Sequence, residues 1–276
     1  MHSNTPELPQ LHLQQQDGTR PLLCLHSSSA SAGQWRTLAA CLQGRHRLLL
    51  PDLAGHGRSP AWPTGLPHSL AAEAESVWAA LPRLQAPLDI VAHSYGGALA
   101  LQMAVQRPAA VRSLTLYEPV LFGLLRRHEP WGEAWREIAG VARAVGELVA
   151  AGRPAAAGQL FCNYWHEAPA WQLLNAAQQA SVSARMAMVD RHFQALFEAG
   201  WAAAELGRLD MPLRLICGSR TRASARRVCE LLALALPQTR LSQLTGAGHL
   251  GPISHASGFA GLVEEGLHRP AAQACV

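Results

Sequence analysis

The chain has 276 residues, 49% of them apolar, with a formal net charge of +4, enough for one large domain carrying an insertion or for two small ones. Its arginines are scattered among acids instead of being gathered with aromatics, which argues against a nucleic-acid partner. The absence of lysine excludes Schiff-base and Ser-Lys chemistry.

The N-terminal stretch MHSNTPELPQLHLQQQDG has neither a basic segment leading into an apolar one nor an Arg/Ser-rich amphipathic face, and no apolar run approaches the length of a membrane span. The expectation is a cytoplasmic protein without a membrane association, monomeric or a homodimer. The six cysteines, Cys24, Cys41, Cys162, Cys217, Cys229 and Cys275, are dispersed without a C-x-x-C, as reduced, packed thiols would be.

In chain order, short apolar runs predict strands at Pro21 to His26, His46 to Leu53, Leu88 to Ser94, Val111 to Glu118, Leu213 to Ser219 and Thr239 to Gly246. They are too apolar for half-exposed strands, so both faces of the sheet are expected to be covered. Between them GQWRTLAACL, SLAAEAESVWAAL, YGGALALQMAVQ and RRVCELLALAL have helical periodicity, and a last helix is expected around Phe259 to His268. This alternation predicts an α/β fold with a mostly parallel, doubly wound sheet. The spacing breaks once. From Val120 to about Arg208 only helical segments appear, with five of the eight tryptophans, which predicts a helical cap over 121–208 inserted into a core of 1–120 and 209–276.

The strongest motif is VAHSYGGA, Val91 to Ala98. A serine at a sharp strand-to-helix turn needs small residues two before and two after it, and Ala92 and Gly96 supply them. Ser94 is the candidate nucleophile, and the N–H of Tyr95 at the helix start is a candidate oxyanion donor.

With LHSSSASAGQW (Leu25 to Trp35), PDLAGHGRS (Pro51 to Ser59) and GAGHLGPISHA (Gly246 to Ala256), the chain resembles the α/β-hydrolase family over nearly its whole length. The resemblance implies His249 as the base and the backbone N–H of Ser28 as the second oxyanion donor. His255 is a competitor for the base, placed where the next helix begins. His26, His56 and His93 read better as rings bonded to nearby backbone, and Asp52 as a group that ties down its own loop. Where many members have His-Gly, this chain has His26-Ser27-Ser28, whose hydroxyls could add a further donor or simply bind their own backbone.

Most members take the third group of the triad from the loop after the strand LRLICG, as G-x-x-D. Here Gly218, Ser219, Arg220 and Thr221 put threonine at that position, and no acid follows before Glu230 inside a helix. Glu118, one strand earlier, stands at the same end of the sheet as Ser94. Some haloalkane dehalogenases, in the same superfamily, use a glutamate at the similar position; a serine nucleophile and Tyr95 in place of their tryptophan argue against dehalogenation. Glu118 is therefore the expected acid, with a Ser-His dyad as the alternative. Loop structure is all that is expected of Thr221.

Met186, Val189, Phe193, Phe197 and Trp201 form an apolar helix face that reads as packing. The less periodic FCNYWHEAPAW, Phe161 to Trp171, is the better pocket candidate, with Ser27, Phe122, Phe161, Tyr164 and Trp165 as expected pocket residues. Arg220, Arg222, Arg226 and Arg227 read as a solvated helix start more readily than as an anion site. The expected function is that of a serine hydrolase cleaving a carboxylic ester or related acyl substrate, a small to medium, largely apolar molecule, through an acyl-enzyme and the triad Ser94, His249 and Glu118, without metal or organic cofactor. Carbon–carbon hydrolysis and a non-catalytic binding role remain as alternatives.

Overall fold

A strand residue's neighbours in sequence point to opposite faces, so an uninterrupted apolar run is stable only where both faces are covered. The sheet meets that condition over most of its width. A computed structural model describes residues 7–166, 169–199, 201 and 203–268. Cys275, the first six residues, and Glu167 and Ala168 of the aromatic segment lie outside the described residues.

The core opens with β1 (Leu13–Gln16), β2 (Arg20–Leu25), α1 (Arg36–Leu42), β3 (His46–Pro51) and α2 (Leu70–Ala80). It continues through β4 (Leu88–His93), α3 (Tyr95–Gln106) and β5 (Val111–Tyr117). Among the described residues, α4 (Gly123–His128), α5 (Glu133–Ala150), α6 (Pro154–Trp165), a 3-10 turn (Ala170–Leu173), α7 (Ala176–Glu198) and α8 (Ala203–Leu206) follow before the next strand. Then come β6 (Leu213–Gly218), α9 (Ala223–Ala235), β7 (Thr239–Leu244), α10 (Gly251–Ser254) and α11 (Ala256–His268). No helix among the described residues is long and apolar enough to cross a membrane.

The seven strands lie in the order β1-β3-β2-β4-β5-β6-β7, with β1 antiparallel to β3 and every other pairing parallel. Alternate strand residues feed two cores. Leu23, Leu25, Ile90, Ala92, Leu116 and Leu215 pack with α2, α3 and α9 on one face. Leu22, Cys24, Val91 and Ile216 pack with Trp35, Leu42, Phe259 and Val263 on the other. Strand order reverses between β2 and β4, and the crevice outside the carboxyl ends of these two strands is where an open α/β sheet binds ligands.

Four expectations need correction. β1, LQQQ, is a strand although its residues are mostly polar and exposed, because it forms an edge with β3 as its one partner. β7 is the opposite edge and is not covered on both faces, with Leu241 51% exposed. The strand at His46 stops at Pro51, so Asp52 and Leu53 belong to the loop beyond it. GQWRTLAACL divides into a 3-10 turn, Ala32–Trp35, and α1.

Candidate active site

Ser94 joins β4 to α3 with φ 57° and ψ −120°, a left-handed conformation that an L-residue adopts only under constraint. The constraint is packing. A Cβ added at Gly96 would stand 2.5 Å from Leu25 O and 2.6 Å from His26 O, so the first turn of α3 presses against the end of β2 and tolerates only glycine there. This close approach brings the Ser27-Ser28 loop beside Ser94, and it gives the small residue two places after the serine its physical reason.

Ser94 Oγ lies 2.9 Å from His249 Nε2, and His249 Nδ1 lies 2.6 Å from Glu118 Oε2. All three side chains are buried. The loop of His249 is held from two sides: His93 Nε2 donates to His249 O at 2.8 Å and the Tyr117 hydroxyl donates to Gly248 O at 2.6 Å. His255 is turned away, paired at the surface with Ser254 Oγ at 2.9 Å.

Glu118 follows β5 with φ 43°, the second non-glycine residue of this site in the left-handed region. Its Oε1 accepts the Gly218 N–H at 2.7 Å, and its Oε2 accepts the Thr221 hydroxyl at 2.6 Å. Thr221 is therefore more than loop structure, and the expectation for it was wrong. The loop after β6 carries no carboxylate, but it places two donors on the carboxylate that arrives from β5. The available signal was the G-x-x-T spacing, which puts Thr221 at the position where most members of the resembled family carry the acid.

Backbone partners account for the other loop histidines. His26 Nε2 accepts the Leu53 N–H at 2.9 Å, and His56 Nε2 accepts the Ser29 N–H at 3.0 Å. Asp52 accepts the N–H groups of Ala32 at 2.8 Å and Arg58 at 3.0 Å, tying its loop to the start of the 3-10 turn. Burial pushes His26 down to about 4 and His56 down to about 3, and it holds His93 and His192 well below the ordinary histidine value. An unfolded histidine titrates near 6.5, so below that pH the unfolded chain binds protons that the folded one refuses. The stability is full above about pH 6.5 and is lost as pH falls toward 4 and 3, by roughly 1 kcal/mol per pH unit per histidine. The expected result is a urea midpoint that drops between pH 7 and pH 5, with a shallower drop in His56→Gln; equal midpoints at the two pH values would contradict it.

Ser94 opens into a cavity lined by Ser28, Phe122, Phe161, Trp165, His192 and Phe193, with a free volume of about 10 Å³, room for roughly one water. Two expected pocket residues do not face it. Ser27 binds Gln34 Oε1 through its N–H at 3.1 Å and its hydroxyl at 2.9 Å, and the Tyr164 hydroxyl pairs with Ser224 Oγ at 2.7 Å. The apolar stripe reads more readily as packing than as pocket, and Val189 and Phe193 on α7 form part of the cavity wall. Trp165 stacks on His249 with ring centroids 3.9 Å apart. Beyond that ring, an open groove of about 440 Å³ is lined by polar groups including Glu137, His166 and Thr221.

The arginines near this groove are engaged within the fold. Arg222 donates to Tyr164 O at 2.6 Å, Arg226 to Ser219 O at 3.1 Å, and Arg227 pairs with Glu129 and Glu230.

Behind the cavity lies a buried polar network that sequence reasoning missed. Glu73 Oε2 accepts the Tyr95 hydroxyl at 2.5 Å and lies 2.8 Å from His68 Nε2, while His192 Nδ1 lies 2.7 Å from Ser28 Oγ. His68, Glu73 and His192 place possible metal-ligand atoms within 4.8 Å of one another; Glu73 Oε2 is engaged by Tyr95 and His68, while Glu73 Oε1, His68 Nδ1 and His192 Nε2 have no hydrogen-bond partner among the described residues. The available signal was a histidine three residues after Val189, on the buried side of α7.

The alpha/beta hydrolase fold model matches residues 20–256. A pimeloyl-[acyl-carrier protein] methyl ester esterase from Neisseria meningitidis serogroup B is 29% identical over 264 residues, 91% of this chain and 95% of that protein. The magnesium-chelatase 30 kDa subunit of Rhodobacter capsulatus is 28% identical over 266 residues, 89% of this chain and 86% of that one. Among solved structures, an α/β hydrolase from a Medee basin deep-sea metagenome library superposes with a TM-score of 0.80 at 17% identity, covering 97% of this chain and 98% of its own. The enol-lactonase from Burkholderia xenovorans gives 0.71 at 18% identity, covering 95% and 97%.

Proposed function

The chain belongs to the α/β-hydrolase fold family, and we propose that it is a serine hydrolase of small, largely apolar carboxylic esters, acting through Ser94, His249 and Glu118. The carrying observation is the continuous relay Ser94 Oγ to His249 Nε2 at 2.9 Å and His249 Nδ1 to Glu118 Oε2 at 2.6 Å, at a nucleophile held in a left-handed turn. The esterase among its relatives supports an ester substrate.

In this reading Ser94 Oγ attacks the ester carbonyl as His249 Nε2 takes its proton, and buried Glu118 stabilises the imidazolium through the Nδ1–H. The N–H groups of Ser28 and Tyr95 receive the oxyanion; the Gly97 N–H bonds Ser94 O at 2.8 Å, whereas the Tyr95 N–H, at the first position of α3, has no intrahelical acceptor and points at the oxyanion. His249 returns the proton to the leaving alkoxide, and water then attacks the acyl-enzyme by the same path in reverse. The helices between β5 and β6 act as the cap. Trp165 divides the site: the apolar cavity, which must widen beyond its one-water volume, takes the acyl group, and the polar groove passes alcohol and water.

A fluorophosphonate probe and a chain-length series of p-nitrophenyl esters test the proposal. The expected results are labelling confined to Ser94 and turnover greatest for short acyl chains, as the narrow cavity requires. A folded protein that neither takes the probe nor turns over any ester of the series would favour the non-catalytic binding role.

A further inference from the structure

We propose that the Ser28 side chain, held by His192, is a hydrogen-bond acceptor subsite that selects esters with a hydroxyl on the first or second carbon beyond the scissile carbonyl. The proposal rests on the serine-hydrolase reading and adds a substrate class to it.

Ser28 and Ser94 line one cavity whose other walls include Val120, Phe122, Phe161 and Phe193. A polar atom of the substrate that meets Ser28 must therefore lie close to the reacting carbon, because the rest of the cavity offers little but hydrocarbon. The Ser28 hydroxyl is already engaged, 2.7 Å from His192 Nδ1. Which of the two donates depends on the imidazole tautomer.

The tautomer follows from what faces the other nitrogen. His192 Nε2 makes no hydrogen bond among the described residues, and Glu73 Oε2 lies 3.8 Å from it. That oxygen accepts the Tyr95 hydroxyl and lies 2.8 Å from His68 Nε2, so its lone pairs are engaged and what it presents to the ring is negative charge. A proton on Nε2 is attracted there, whereas a lone pair on Nε2 would be repelled. Burial keeps the ring neutral, so Nδ1 is left bare and accepts the Ser28 O–H. The serine oxygen then turns its remaining lone pairs to the cavity. Of the two roles open to the loop hydroxyls, oxyanion donor or backbone partner, Ser28 then takes neither: its N–H, with no acceptor among the described residues, remains for the oxyanion, and its side chain is an acceptor.

The subsite is also rigid. Arg185, on α7, donates to Ser29 O at 2.7 Å, the Ser29 N–H is held by His56 Nε2 at 3.0 Å, and Ser29 itself has φ 61°. Tyr95 stacks on the His192 ring with centroids 3.6 Å apart. A half-buried acceptor fixed in this way loses its water when a plain alkyl chain fills the cavity, and a hydroxyl placed opposite restores its partner.

The test compares methyl 2-hydroxybutyrate, methyl 3-hydroxybutyrate and methyl butyrate on the wild type, Ser28→Ala, Ser28→Thr and His192→Phe, each read as the ratio of kcat/KM values within one protein. The wild type is expected to favour at least one hydroxylated ester over butyrate by about 5- to 10-fold. Ser28→Ala is expected to bring the ratio near one, Ser28→Thr to retain it, and His192→Phe, which keeps a ring against Tyr95, to lower it. Nitrogen-15 shifts of His192 should report the Nε2–H tautomer. A wild-type ratio of one, a preference that survives Ser28→Ala, or an Nδ1–H tautomer overturns the subsite and leaves the hydrolase standing. Absence of turnover for all three esters, together with no labelling of Ser94, overturns the hydrolase reading and the subsite with it.

Discussion

Ser94→Ala is expected to lower kcat for a short-chain p-nitrophenyl ester by about 10⁴- to 10⁶-fold, with KM changed only a few-fold. The change removes one oxygen from a buried position. The left-handed backbone at residue 94 is imposed by the packing of α3 on the end of β2, so the turn persists with alanine, and ester binding by the cavity wall persists with it. What disappears is the atom that the proposed mechanism uses to form the acyl-enzyme. Circular dichroism and the urea midpoint should match the wild type; a variant that keeps a tenth of the wild-type rate would remove Ser94 from the mechanism.

Glu118→Gln carries the second-largest expected effect, a fall in kcat of about 10³- to 10⁴-fold with KM little altered. The carboxylate accepts from three directions: the Gly218 N–H, the Thr221 hydroxyl and His249 Nδ1. Glutamine has one carbonyl oxygen and one amide nitrogen for those three groups. Either its NH₂ faces a donor, or it faces His249 and drives the ring proton to Nε2, where it blocks acceptance of the serine proton. Both outcomes also remove the negative charge that stabilises the imidazolium. A Glu118→Gln enzyme with nearly wild-type kcat would return the site to a Ser-His dyad.

Much of this site is legible in the sequence because its constraints are local. Ala92 and Gly96 flank Ser94 for steric reasons that operate within one turn, and the strands show themselves because Leu88 to His93 is buried at every position. Glu118 is legible through the family resemblance, which places the acid of most members on the β6 loop, vacant here, and that of some others at the end of β5. Other features depend on approach between distant segments and leave little local trace. Ser28 and His192 are 164 residues apart, and their pairing is visible only once α7 lies over the sheet. Tyr164 belongs to an aromatic segment that does reach the cavity, but helix rotation sends its hydroxyl to Ser224 while Phe161 and Trp165 face inward. β1 escaped because an edge strand with one neighbour need not be apolar.

The meeting of Glu118 and Thr221 has an evolutionary consequence. Two neighbouring strands offer stations for one carboxylate, and in this chain the unoccupied station holds a hydroxyl already bonded to the occupied one. A lineage could acquire an acid at 221 while Glu118 remains in service, and lose Glu118 afterwards, without an ancestor that lacked a partner for His249. Placing Thr221→Asp into Glu118→Gln would re-enact the second half of that path, with partial return of the rate as its signature. The position of the acid would then be a historical choice between two equivalent supports, and the histidine the fixed point around which they exchange.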